Sequence, residues 1–153
     1  MTNLQIDFAI DSTQINPTYN DIIIEKLKME QNVFISSEPL KINNVKELEK
    51  LRFILPFEYT STTKRLIENL KKHGVCIKAD MEVDITELRI NAVKRGLGIG
   101  YVMQDAVENE IKNKEIYKVE LPIDLPSSQI NLIYVKGQLR KTDKKFIKEY
   151  LGR

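Results

Sequence analysis

The only histidine, His73, and the only cysteine, Cys76, lie three residues apart. A thiol beside an imidazole can act as an activated nucleophile, and the same two side chains can form half of a metal site. Their setting argues against both chemistries. His73 ends a helical stretch and Cys76 lies at the start of an extended one, so Gly74 and Val75 would have to turn both side chains to one point. Cys76 alternates with Val75 and Ile77 and reads as a core residue, while His73 reads as a surface residue. No third metal ligand accompanies them, and neither a GxSxG elbow nor an HExxH pair occurs. The expectation is no catalytic residue, no metal and no cofactor.

Two other clusters bear on ligand binding. Gly96-Leu97-Gly98-Ile99-Gly100 has the glycine density of a phosphate loop. Such a loop follows a strand and opens a helix, whereas these glycines follow a helix and open a strand. Gly96 therefore reads as the glycine that ends a helix, and Gly98 and Gly100 as places where a backbone or a ligand comes close. The second cluster, Thr60-Ser61-Thr62-Thr63, opens the helical segment KRLIENLKKHG. Free N–H groups and the positive dipole end make a helix N-terminus an anion site. Capping accounts for one of the four hydroxyls and leaves the others available to a ligand. The cluster also follows a short strand over 52–55, and ligands of open parallel sheets bind at the carboxyl ends of strands.

The elements that must position these residues are legible from periodicity and capping. Leu4, Ile6, Phe8 and Ile10 alternate as a strand, broken by Asp11-Ser12-Thr13 and Asn16-Pro17. Residues 21–37 hold two apolar stretches, read as two strands split by Met29-Glu30-Gln31-Asn32. Asn44 and Glu47 have capping-box spacing before a short helix over 45–51. The helix after Thr60 carries the stripe Leu66, Ile67, Leu70 and stops at Gly74. A strand over 75–81 follows. Thr86 is expected to cap a helix to Arg95 with Leu88, Ala92 and Val93 inward, before a buried strand over 97–102. Asp105 is expected to cap a helix to about residue 112. An edge strand over 116–121, a linker between Pro122 and Pro126, a buried strand over 130–135 and a final helix over 144–151 complete the chain. The helix's expected inward face is Phe146, Ile147, Tyr150 and Leu151. Alternating helices and strands in the middle imply an α/β fold with a mostly parallel sheet covered on both faces. Segments 1–37 and 123–153 are expected to pack together as one subdomain, with 38–122 inserted as the second.

Composition excludes several function classes. The 153 residues are 42% hydrophobic and 30% charged, which is the balance of a folded globular protein. The longest apolar runs, such as Ile22-Ile23-Ile24, are far too short to span a bilayer, and the first residues lack a signal-peptide pattern. A single cysteine rules out an internal disulfide and suits the cytoplasm. The net charge of +2, from 24 basic and 22 acidic residues, is not the footprint of a nucleic-acid binder. Lysine groups such as Lys141, Lys144, Lys145 and Lys148 read as solvated helix faces.

In order, LQIDFAID, VFISSEPLKI, FILPFEYTSTTKRLIENLKKHG, INAVKRGLGIGYVMQDAV and INLIYVKGQLRKTDKKFIKEYL resemble the effector-binding domain of LysR-type transcriptional regulators. The resemblance covers nearly the whole chain. It implies a periplasmic-binding-protein-like type II fold, in which two α/β subdomains are joined by two crossover strands and a small-molecule effector sits in the cleft. By position it makes Thr60, Ser61 and Thr62 the ligand-contacting helix start, and Gly98, Ile99 and Gly100 the strand bordering the cleft. Asp11 and Ser12 follow the first strand and are expected to face the same cleft.

The resemblance also implies what this stretch lacks. The family's helix-turn-helix and linker helix are not among these residues, nor is the opening strand–helix–strand of the first subdomain. That subdomain is therefore expected to be incomplete, with a sheet edge that favours homo-oligomers. DNA is expected as a partner only through the absent domain. The expected ligand is a small molecule, with an anion or carboxylate matching the helix start. A solute-binding protein of the same fold, and more distantly a Cys–His enzyme, are the alternative readings.

Overall fold

The computed structural model describes residues 6–12 and 19–152. Leu4, Thr13, Asn16 and Pro17 of the expected first strand and its break lie outside the described residues. In chain order the elements are β1 (Phe8–Asp11), β2 (Ile22–Ser36), a 3-10 helix (Val45–Lys50), β3 (Phe53–Leu55), α1 (Ser61–Lys72), β4 (Met81–Glu82) and α2 (Thr86–Lys94). Then follow β5 (Ile99–Met103), a 3-10 helix (Gln104–Val107), α3 (Glu108–Lys112), β6 (Tyr117–Lys118), β7 (Ser127–Val135) and α4 (Lys141–Leu151). Backbone contacts group the chain into two units, Met1–Met29 with Gln129–Arg153, and Glu30–Ser128.

The second unit is a sheet in the order β6, β2, β5, β3, β4. β5 runs antiparallel to β2, pairing Asn32 with Met103 and Phe34 with Tyr101. β3 runs parallel to β5 and β4 parallel to β3. Both faces of this sheet are covered, and the two-residue period sorts the side chains between them. Phe34, Phe53, Leu55, Ile99 and Tyr101 pack on one face with Leu66 and Leu70 of α1. Val33, Ile35, Ile54 and Val102 pack on the other with Ile90, Ala92 and Val93 of α2. The helices stop where glycine permits a left-handed turn. Gly74 and Gly96 each have φ near 73°, and the N–H groups of Val75 and Leu97 reach back to Leu70 and Ala92.

The first unit contains β1 antiparallel to β7, with Phe8 opposite Tyr134 and Asp11 opposite Asn131. Its helix α4 buries Ile147, and Phe146 lies 5.8 Å from the Phe8 ring. The Tyr134 hydroxyl donates to Glu25 Oε1 at 2.6 Å.

Several sequence expectations need correction. The two strands expected over 21–37 are one, β2, because the polar Glu30–Asn32 segment stays extended. The two units described above divide inside β2 and β7, and Val33–Ile35 pair with β5 and fill the second unit's core. The strand over 75–81 is reduced to Met81–Glu82. Side chains occupy positions a ladder would use: Glu49 accepts the Cys76 N–H at 3.0 Å, and Asp80 accepts the Phe53 N–H at 2.8 Å. Cys76 is consequently exposed, not a core residue. The edge strand over 116–121 is paired only at Tyr117–Lys118, with a further bridge from Glu120 to Lys41.

Thr86 does not cap α2; it is the first helical residue after Ile85, and Asp105 lies in the 3-10 turn before α3. The buried face of α2 is also rotated: Leu88 is 53% exposed, while Arg89 is buried beside Ile90. In α4, Phe146 and Tyr150 are exposed and Ile147 alone of the expected face is buried.

Candidate functional site

The carboxyl ends of β3 and β4 lead into the starts of α1 and α2. Between them is a pocket of about 210 Å3, lined by Thr60 and Thr62 of the α1 start, Thr86 and Arg89 of α2, and Asn32, Tyr101 and Met103 of the sheet, among others. The antiparallel register of β2 on β5 places Asn32 opposite Met103 and so at this same end.

The four hydroxyls at the α1 start divide into two roles. Thr60 is the N-cap: its Oγ1 accepts the Thr63 N–H at 3.3 Å and donates to Phe57 O at 2.8 Å. Thr63 is buried and its Oγ1 donates to Pro56 O at 3.1 Å. These two hydroxyls hold the turn between β3 and α1. Thr62 lines the pocket, and Ser61 is half-buried outside it.

Arg89 crosses from α2 to the sheet. Its Nε donates to Tyr101 O at 3.1 Å and its Nη1 to Val83 O and Asp84 O at 2.7 and 2.8 Å. Nη2 donates to Thr86 Oγ1 at 3.2 Å. Burial lowers the guanidinium's proton affinity, and the Asp84 charge opposes that shift. Burial likewise pushes the Tyr101 phenol well above its ordinary value, against hydrogen bonding from Asn32 and the charge of Arg65. Asn32 is fixed by bonds from its Nδ2 to Ser128 Oγ at 2.8 Å and Pro126 O at 3.0 Å.

The structure therefore brings Thr60 and Thr62 to one pocket of the second unit, which Ser61, Gly98, Ile99 and Gly100 do not line. Gly98, Ile99 and Gly100 sit at the amino end of β5. A Cβ at Gly98 would meet Arg52 O at 2.9 Å, and one at Gly100 would meet Val93 Cγ2 at 2.7 Å. Ile99 packs in the core. The close approach expected at these glycines is made by protein atoms. Asp11 and Ser12 belong to the first unit. His73 Nδ1 lies 3.0 Å from Asn69 O, and His73 and Cys76 are both exposed. Among the described residues no group of three or more His, Cys, Asp and Glu is placed to hold a metal. Arg89, Asn32 and Tyr101 were not singled out from sequence. Arg89 was hidden by the phase assigned to α2, although burying Ile90 and Val93 together turns residue 89 inward.

The family model for the LysR substrate binding domain matches residues 2–152. This chain belongs to that family. A LysR-family relative, the probable RuBisCO transcriptional regulator of Cyanidium caldarium, is 24% identical over 163 residues, covering 99% of this chain and 51% of the relative. The chain thus spans about half the length of that curated protein. Among solved structures, the CcmR regulatory domain of Synechocystis PCC6803 in complex with 2-PG superimposes with a TM-score of 0.75 at 19% identity, over 99% of this chain and 74% of that one. The bromide-bound regulatory domain of HypT from Salmonella typhimurium gives 0.79 at 13%, over 97% and 72%. The CrgA regulatory domain of Neisseria meningitidis gives 0.75 at 15%, over 95% and 74%. At such identities the likeness establishes the fold, the periplasmic-binding-protein-like type II architecture. No helix among the described residues is long and apolar enough to cross a membrane.

Proposed function

We propose that this chain is the effector-sensing domain of a LysR-type transcriptional regulator acting in the cytoplasm. The observation that carries the reading is the pocket at the carboxyl ends of β3 and β5, framed by two helix starts, in a LysR-family fold. Thr60, Ser61 and Thr62 are the proposed effector contacts of the second unit. The 2-PG and bromide named for the CcmR and HypT domains belong to those proteins, and they support small ligands as the class.

A ligand can move a regulator only by its difference in affinity for two states. The domain's task is then to convert ligand occupancy into a change of conformational population in a homo-oligomer. Promoter DNA is read by another part of such a regulator, so this chain alone is expected to give no sequence-specific gel shift. It also needs no catalytic group.

Thermal unfolding against a metabolite panel tests the reading. A ligand at a hundredfold excess over its Kd stabilises the native state by about 2.7 kcal/mol, a shift of several degrees. The stabilising ligand should lose its effect in Thr62→Ala. The same titration with Asp11→Asn and Ser12→Ala tests whether the first unit contributes, and with Gly98→Ala whether the amino end of β5 does. A panel that leaves the melting temperature unmoved, or hydrolysis of any panel member, would count against a sensor.

A further inference from the structure

Beside β2 the second unit leaves a window in its own sheet. β6 pairs with β2 at Ile35 and Ser36, and the Val119 N–H reaches Phe34 O at 2.9 Å. The same register would set Gln31 against Pro122, which has no N–H to give a ladder. The ladder stops, and the returning chain bows away from β2 over 120–125. At the far end side chains close the gap: Gln31 Nε2 donates to Leu125 O at 3.2 Å and Asn32 Nδ2 to Pro126 O at 3.0 Å. The bow is held from outside as well. The Glu120 N–H donates to Leu40 O at 3.0 Å, and Glu120 O accepts the Ile42 N–H at 2.8 Å. Hydrogen bonds thus fix both sides of the window and resist its collapse.

The space has a volume of about 460 Å3, inside the range of small-molecule sites. Every residue lining it belongs to the second unit. Its floor, Val33, Phe34, Val119 and Leu125, is apolar and buried. Val33 and Phe34 belong to the cores on opposite faces of the sheet, so the window lies edge-on to it. Leu121 and Ile123 are half-buried at its side. Interiors are close-packed, and an apolar hollow of this size forgoes contacts that a hydrocarbon body would restore. The charged groups of the rim are Lys118, Glu120 and Asp124. The Lys118 ammonium is bonded to Gln104 Oε1 at 3.3 Å, outside the window. Among the described residues, the Glu120 and Asp124 carboxylates have no side-chain partner. Two free carboxylates against one tied ammonium favour a cation over an anion.

We propose that this window is a second binding site and that it takes a small organic amine, its hydrocarbon body on the buried floor and its ammonium at Glu120 and Asp124. It shares only Asn32 with the residues that line the pocket at the α1 start. The inference goes beyond the effector-sensing reading and does not depend on it.

The test is an amide NMR titration of the 153-residue chain at neutral pH and constant ionic strength. The probes are cyclohexylamine, which is protonated there, its neutral analogue cyclohexanol and its anionic analogue cyclohexanecarboxylate. The amine is expected to shift the Val33, Phe34, Val119 and Leu125 signals saturably. Cyclohexanol should shift the same signals with about two- to fivefold weaker affinity, and the carboxylate should bind more weakly still. The double variant Glu120→Gln, Asp124→Asn should bring the amine down to the level of the alcohol and leave the alcohol unchanged. Both side chains are exposed, so this variant keeps the fold. Ile123→Phe, which fills the side of the window, should weaken all three probes. Amine shifts confined to other residues, equal affinity for the three probes, or an undiminished amine preference in the double variant would overturn the proposal.

Discussion

The two ends of the second unit's sheet are lined by small and polar residues, yet they do different things. At the amino end, the room left by Gly98 and Gly100 is filled by Arg52 O and Val93. At the carboxyl end, the space between Thr62, Thr86, Arg89 and Asn32 stays open. A small residue in a strand marks a close approach, and what approaches is decided by the chain direction of the sheet. Parallel β3 and β4 send α1 and α2 away from their carboxyl ends, so the helix starts and their donors gather there.

The largest expected effect breaks the amino end. Gly98→Ala places a Cβ against Arg52 O, the same oxygen that accepts the Ile99 N–H at 2.8 Å. The clash is with backbone, so relief requires β5 to shift against β3. A loss of about 2–3 kcal/mol in urea unfolding is expected, with ligand response per folded molecule unchanged. A loss of ligand response at full stability would show that this end belongs to the site.

Gly100→Ala is expected to cost less, about 1–2 kcal/mol, because its contact is a side chain, Val93 Cγ2. Adding Val93→Ala removes the clashing methyl. The double variant should therefore lose less than the sum of the single losses, by about 0.5–1 kcal/mol in a cycle measured by denaturant. Additive losses would mean that the two residues are not in contact.

The carboxyl end separates capping from binding. Thr60→Ala removes the cap of α1 and should cost about 1 kcal/mol. Thr62→Ala should lie within about 0.5 kcal/mol of the parent in stability while losing ligand-induced stabilisation. The reverse pattern would move the ligand contact to Thr60.

Much of this was legible because the second unit's sheet is buried on both faces. Val33, Phe34 and Ile35, or Phe53, Ile54 and Leu55, read as uninterrupted apolar runs, and the structure deals them alternately to two cores. The hydroxyls after β3 were legible as a helix start for the same local reason, since capping needs only near neighbours. Long-range side-chain bonds were not legible. Glu49 reaches Cys76 and Asp80 reaches Phe53 across 27 residues, and these bonds shorten the strand expected at 75–81. Arg89 escaped notice because a buried arginine breaks the apolar pattern by which an inward face is recognised. Four acceptors, three from the turn over 83–86 and one from Tyr101 in β5, make its burial tolerable, and hydrophobic periodicity does not encode them.

The smallest expected effect sharpens the same contrast. Cys76 borders a depression at the amino end with Glu49, Phe53 and Asp80. Its main-chain N–H is held by Glu49, so the anchoring bond does not involve the thiol. Cys76→Ser preserves that bond and exchanges one exposed group for another. The expected change in stability is below about 0.5 kcal/mol, with no change in ligand response. In the native protein the thiol should also react fully with a water-soluble disulfide reagent, because exposure and not unfolding sets its access. Protection of the native thiol, or a weakened ligand response in Cys76→Ser, would mean that the amino end is covered or coupled to the pocket. In that case the two ends would not be the separate packing and binding surfaces that their geometry indicates.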